Sequence, residues 1–200
     1  MTAAQPGFLR SRTEAAMRNG GPRAVLREAV SYLRARWLLR HASAAGHARA
    51  WGQIRVHNRG HMVIGDRVRI GGPILPVELT CHEGATLTIG DGTYINYGVD
   101  ISATRSVRIG RECAIGQYTI IIDNDYHQPE SHWQLGVPTP VVIEDGVWIG
   151  ARVVVLRGAH IGAGAVIGAN SVVRGVIPPH TVAAGVPARV VRVLRRGEAK

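Results

Sequence analysis

Lysine is almost missing from this chain. Of its 24 basic residues all but Lys200 are arginine, and against 14 acidic residues they leave a formal charge of +10. Such a charge raises nucleic acid or another polyanion as a partner. No helix-turn-helix, zinc or RNA-binding pattern accompanies it, so no nucleic-acid partner is expected, and the arginines fit a phosphate-bearing small ligand better. Aromatic residues are scarce too, 5% with a single Phe, although 46% of the chain is hydrophobic. The core must therefore be built from Val, Ile, Ala and Gly, which suits thin stacked strands better than interlocked large side chains. There are two cysteines, Cys81 and Cys113, without metal-type spacing, and no disulfide framework is implied. No apolar run reaches the roughly 18–20 residues of a membrane span. The N-terminus lacks the apolar centre of a signal peptide, so the expected location is the cytoplasm.

What the chain does have is a repeat. In VVIEDGVWIGARVVVLRGAHIGAGAVIGANSVVR, Val141 to Arg174, the residues Ile143, Ile149, Val155, Ile161, Ile167 and Val173 fall every six positions. Two residues before each stands Val141, Val147, Val153, Ala159, Ala165 or Ser171, and Gly150, Gly162 and Gly168 follow three of them. Six is a multiple of the strand period and not of the helical one. The pattern predicts short strands joined by turns and coiled so that each coil stacks on the last. The glycines are expected to supply the unusual dihedrals of the corners. Cys113, two before Ile115, takes the small inward slot and is expected in the core.

Residues 1–20 show no periodicity and are expected to be loose. From Pro22 to about Ala45, Val25, Leu26, Ala29, Val30, Leu33, Trp37 and Leu38 make a helical apolar stripe, with Pro22 placed for the first turn and Gly46 for the stop. Arg23, Arg27, Arg34, Arg36 and Arg40 occupy the other faces. Such a helix suits an anionic membrane surface, as a peripheral contact, or the covering of an open coil end; both stay open. The domain division is a basic helical segment over 1–50, the coil over 51–177 and an extension over 178–200. Hexads are visible at Ile64, Ile70, Ile89, Ile95, Ile101, Ile109, Ile115 and Ile121, starting near Trp51. They stop at residues 123–140, DNDYHQPESHWQLGVPTP, a polar excursion of the kind that carries function. The tail from Val182 to Val193 alternates with Arg189 and Arg192 and is expected to pack back on the body.

GVWIGARVVVLRGAHIGAGAVIGANSVV followed by IPPHTVAAGVPARVVR resembles the hexapeptide-repeat acyltransferases. Within them it is most similar to the maltose/galactoside O-acetyltransferases and the sugar O-acetyltransferases of surface-polysaccharide pathways. The resemblance covers about residues 60–193. It implies an all-β fold, a left-handed parallel β-helix with three hexads per turn, here with an N-terminal α-helix. It also implies a homotrimer with active sites between subunits, acetyl-CoA as acyl donor, and a sugar or other hydroxyl-bearing acceptor.

Acyl transfer to a hydroxyl needs a base for the proton, donors for the oxyanion and a grip on the acyl carrier. His127 lies in the excursion beside Asp123, Asp125 and Tyr126, and the family places its catalytic His in this loop. Asp123 or Asp125 is expected to orient the ring. The resemblance puts an acceptor-binding Asn at Asn96, where a turn residue would serve as well. A sugar-contacting Asp expected near Thr104 is absent. On the carrier side the resemblance implies Trp148 beside the thioester arm and the backbone N–H groups of Ala151 and Ala169 on thioester and pantetheine. A family Lys falls at Gly175, with Arg174 beside it as a substitute. Arg189 and Arg192 match basic residues near the nucleotide phosphates, a role that suits the planar guanidinium.

Two other classes compete. His127 and His132 could be two ligands of a zinc carbonic anhydrase on the same coil, but the third ligand position is Asp91, His82 is out of step, and a catalytic zinc wants three protein ligands. No metal is expected. A coil without enzymatic activity is the other alternative, which the DNDYH segment argues against.

Overall fold

A computed structural model of the chain describes residues 6–44, 46–128, 131, 133–134 and 136–194, with the backbone alone for 6–20 and for Pro73. After an N-terminal helix the chain winds as a three-faced prism of about seven coils. Parallel strands stack along each face, and the inward aliphatics form three ladders. Ile89, Ile109, Ile143, Ile161 and Ile177 pair in sequence on the first face. Ile70, Ile95, Ile115, Ile149 and Ile167 do so on the second. Leu79, Ile101, Ile121, Val155 and Val173 line the third. Every one of these is at most 3% exposed. Each buried branched side chain contributes about 1.5–3 kcal/mol, so the six-residue repeat is the core itself. Cys113 is 2% exposed, as its slot required, and burial raises its thiol pKa.

The glycines that follow the inward aliphatics have a different job from the one their position suggested. None of Gly90, Gly116, Gly150 or Gly162 has a positive φ. A Cβ on Gly116 would lie 2.6 Å from the Gly150 carbonyl carbon, and one on Gly162 would lie 2.5 Å from Pro179 N. These glycines let successive corners touch. The left-handed residue comes two positions later, and it is often not glycine: Glu112, Tyr118, Arg152 and Asn170 have φ of 52°, 61°, 57° and 59°. Each such residue carries a strain of roughly 1–2 kcal/mol that the stacked coils hold in place.

Three boundaries differ from the sequence expectation. Residues 6–20, expected to be loose, are helical: the helix runs Pro6–Leu38 with a break at Gly21 (φ 62°, ψ −165°). Pro22 does open the segment after the break, where its missing N–H costs nothing. That helix stops at Leu38, short of Ala45, because Ser43 and Ala44 pair with Val63 and Ile64 and begin the coil eight residues before Trp51. At the other end Thr181–Gly185 still pairs in parallel with Val166–Ile167, so the coil continues past 177. Only Ala188–Val193 turns back, antiparallel to Thr181–Gly185.

Candidate active site

The excursion leaves the coil after Ile120–Ile122, at the corner between the third and first faces, and returns at Val141–Ile143. Asp123 anchors its stem. Fully buried, it accepts the Thr104 N–H and hydroxyl on Oδ1 (2.8 and 2.7 Å) and the Arg105 and Ser106 N–H groups on Oδ2 (2.7 and 2.6 Å). The Thr139 N–H donates to its backbone carbonyl at 2.8 Å and closes the loop's far end. Asp123 is therefore the clamp of the loop, both carboxylate oxygens accepting from donors of the preceding coil. The position near Thr104 where an acceptor-binding Asp was sought is part of this clamp.

Above the clamp the chain turns tightly. Asn124 Oδ1 accepts the Tyr126 N–H at 2.8 Å, Tyr126 takes φ 60°, and the His127 N–H donates to Asp125 O at 2.7 Å. The Tyr126 hydroxyl reaches back to Ser102 Oγ at 2.6 Å, on the outside of the third face. The turn leaves His127 exposed at the corner. The Asp125 carboxylate is ion-paired with the Arg157 guanidinium from the same corner one coil further on. Arg157 was not singled out in the sequence; it stands before Gly158 in a hexad whose pattern constrains only its inward residues, so nothing marked it.

The carrier-side residues collect on a different corner, between the second and third faces. Asn96 serves as a turn residue, its Oδ1 accepting the Tyr97 N–H at 2.9 Å, and its amide nitrogen donates toward Gln117 Oε1 at 3.4 Å. Ala151 and Ala169 stand at this corner in the coils below, linked by the Asn170 N–H donating to Ala151 O at 2.9 Å. At the corner between the first and second faces the N–H after Gly110 and after Gly162 is capped: Arg111 donates to Asp145 Oδ1 and Ala163 to Glu144 Oε2, both at 2.8 Å. The described residues offer the N–H groups of Ala151 and Ala169 no such carboxylate. Trp148, 58% exposed, stands on the second face beside this corner between Ala114 and Val166.

Arg192 extends the same outer row, since Trp148 pairs with Val166, Val166 with Val182, and Val182 with Arg192. Arg189 pairs with Ala184, whose Cβ lies 2.9 Å from where a Gly168 Cβ would be, just ahead of Ala169. Arg174 is on the other side: it sits between Val172–Val173 and Val176–Ile177, on the corner that carries the His127 loop. The structure thus sorts the candidates into two half-sites on adjacent corners, His127, Asp125, Arg157 and Arg174 on one and Asn96, Ala151, Ala169 and Arg189 on the other, with Trp148 and Arg192 flanking the second. A single chain leaves the third face between them.

On that face Asp100 lies next to Glu78 and Ile120. Burial, and secondarily the Glu78 charge, push its carboxyl above the usual range. His132 lies outside the described residues. Asp91 is taken up at the remaining corner, accepting the Asp66 N–H at 2.7 Å, and no group of three metal-ligating side chains converges among the described residues.

Comparison with known proteins agrees with this geometry. Residues 140–175 match the family model described as bacterial transferase hexapeptide (six repeats). The chain is 33% identical over 148 residues, 68% of its length and 74% of the other, to an Escherichia coli protein assigned as a lipopolysaccharide biosynthesis O-acetyl transferase. It is 37% identical to the galactoside O-acetyltransferase of Escherichia coli over 54% of this chain and 55% of that one. A hexapeptide-repeat containing acetyltransferase of Vibrio cholerae, in complex with acetyl coenzyme A, superposes with a TM-score of 0.61 at 30% identity, covering 97% of this chain and 91% of that one. The stacked coils, the excursion between them and these similarities together make the chain a member of the hexapeptide-repeat acyltransferases, enzymes built on a left-handed parallel β-helix.

Proposed function

We propose that this acyltransferase moves an acetyl group from acetyl-CoA directly to a hydroxyl of a sugar or glycan precursor, at sites between the subunits of a homotrimer. The separation of the half-sites carries the reading: His127 and the Ala151–Ala169 corner belong to one constellation only if a second copy brings its corner beside the loop. The acetyl donor is supported by the Vibrio cholerae complex, and the sugar hydroxyl by the names of the two Escherichia coli relatives.

In this reading the His127 imidazole removes the acceptor's hydroxyl proton as that oxygen attacks the thioester carbonyl carbon. The new C–O bond forms while the carbonyl electron pair moves onto oxygen, where the Ala151 N–H donates to it. Collapse breaks the C–S bond; the leaving sulfur takes the proton from the His127 imidazolium, giving free CoA and a neutral ring. The Arg157–Asp125 pair positions the loop from the next coil. Trp148 and Ala169 hold the pantetheine arm, Arg189 and Arg192 meet the nucleotide phosphates, Arg174 approaches from the neighbouring subunit, and Asn96 contacts the acceptor.

The test is free-thiol release from acetyl-CoA over a panel of sugars and other alcohols, together with subunit complementation. His127→Ala and Ala169→Trp each disable one half-site. Co-expressed, they leave both halves intact at about a quarter of the interfaces of a random trimer, and activity should return to about that level. No recovery, or a fully active monomer by light scattering, overturns the shared site. Zinc retained by the pure protein without thioester cleavage would favour the carbonic anhydrase reading.

A further inference from the structure

After its break the N-terminal helix has two opposed faces. Ala35 and Leu39, each 1% exposed, turn toward the first long strand, Arg49–Asn58. Beside them Glu28 accepts from Arg49 Nε at 3.2 Å, and the Arg49 guanidinium lies 5.0 Å from the Tyr32 ring. At about 100° per residue the opposite side carries Leu26, Val30, Leu33 and Trp37, spaced by four, three and four. They are 65%, 52%, 64% and 63% exposed. A single exposed Leu is ordinary; four apolar side chains in one line on the face away from the body mark a contact surface. These four belong to the stripe that the sequence offered either to a membrane surface or to the open coil end; Leu38 of that stripe packs against the core, while Ala35 and Leu39 are buried on the side that meets the coil.

Charge says what the stripe meets. On the helical wheel Arg23, Arg27 and Arg34 run along one border and Arg36 and Arg40 along the other; Arg34 also donates to Gly52 O of the coil at 2.5 Å and Arg36 to the Tyr32 hydroxyl at 3.3 Å. Arg40 is held level with the stripe, its guanidinium 4.7 Å from the Trp37 ring and bonded to Trp37 O at 2.9 Å. Glu28 is the sole acidic residue of 22–40, and its charge is met by Arg49. A groove between helix and coil, lined by Arg27, Glu28, Ser31, Arg49, Trp51 and Arg69, continues this border onto the body with three arginines against one carboxylate.

We propose that this face docks on an anionic membrane surface, with the four apolar side chains in the interfacial layer and the flanking arginines at the headgroup phosphates. Long basic side chains bordering an apolar stripe, with an aromatic within it, suit that boundary. A second copy of the chain is the poorer occupant, because pairing two such stripes sets five arginines against five, and interface cores are poor in charge. The attachment is peripheral: no described helix is long and apolar enough to cross a membrane.

The experiment is co-sedimentation of the full chain with vesicles of phosphatidylcholine alone and with about 30% phosphatidylglycerol added. Binding to the anionic vesicles should be at least tenfold tighter and should weaken as salt rises. Leu33→Glu/Trp37→Glu and, separately, Arg27→Gln/Arg36→Gln should each reduce that binding tenfold or more, with melting temperature and particle mass unchanged, since all four side chains are exposed. No binding to either vesicle overturns the proposal, as does equal binding to both. A change of particle mass in Leu33→Glu/Trp37→Glu without a change in vesicle binding would make the stripe a contact between copies and overturn it too.

Discussion

Arg189 and Arg192 stand on the same side of the last strand, although three positions would place them on opposite sides of a regular one. The register shifts between them: Arg189 faces Ala184, Val190 faces Ala183, and Arg192 faces Val182, leaving Val191 as the extra residue of a bulge. Both guanidiniums therefore belong to the outer surface that carries Trp148. Losing a charge-assisted contact costs about 1.5–3 kcal/mol, so Arg189→Ala/Arg192→Ala should raise KM for acetyl-CoA by roughly ten- to a hundredfold with kcat within about threefold. The variant should also lose any preference for CoA over dephospho-CoA if the 3′-phosphate is the group they hold. Titration calorimetry showing undiminished CoA affinity would make the tail a structural strap and leave Arg174 as the phosphate residue.

His127 and Asp123 are four residues apart and should fail in different ways. His127→Ala is expected to lower kcat by about 10²–10⁴, with acetyl-CoA affinity and melting temperature unchanged. Asp123→Ala removes the shared acceptor of the part-buried Thr104, Arg105 and Ser106 N–H groups and of the Thr104 hydroxyl, bonds worth about 1 kcal/mol each. It should melt several degrees lower and lose turnover through a displaced loop. A thermal scan beside steady-state kinetics separates the two, and an Asp123→Ala protein as stable as wild type would contradict the clamp.

The corner glycines give a steric prediction. Gly116→Ala puts a methyl 2.6 Å from the Gly150 carbonyl carbon, backbone that cannot move without separating two coils. Overpacking of this kind costs about 1–3 kcal/mol, which urea unfolding should show as a lower midpoint. At Gly84 nothing lies within 4 Å of the added methyl, and only the φ of 71° opposes it. Gly84→Ala should therefore be the milder change, and the reverse order would count against the close-approach role.

Asp100 should make the protein less stable as pH rises. Its folded carboxyl titrates above the ordinary value, mainly through burial and then through Glu78. A raised carboxyl contributes stability that is full below the unfolded pKa of about 3.9 and is lost as pH climbs through the higher folded value. Asp100→Asn removes the buried charge and should raise the melting temperature at pH 7, the gain shrinking to nothing near pH 3. Glu144 and Asp145 act in the opposite sense. His160 and the Ala163 N–H lower the first, and the Arg111 N–H and guanidinium the second. Both are exposed, so their small contribution is present above about pH 4 and fades on acidification. A scan in which Asp100→Asn gained nothing at pH 7 would discount the burial of that carboxyl.

The sequence by itself determined the coil, because burial in a stacked prism demands one branched side chain at every sixth position and the chain writes that demand out from Ile143 to Val173. It marked the excursion for the same reason: residues 123–140 answer no such demand, and His127 is there. The carbon-free side chain at Gly116 was visible too, but its purpose was not, since close approach is a property of two coils and φ of one residue. Only the tertiary structure decided that Asp123 clamps the loop, because its donors come from Thr104 to Ser106 on the preceding coil. It alone put Arg174 with His127 and Arg189 with Ala169, because corner membership depends on how many residues each coil takes. It also turned Leu26, Val30, Leu33 and Trp37 outward, because the opposite side of the helix, with Ala35 and Leu39 buried and Glu28 paired with Arg49, is the one that meets the first long strand.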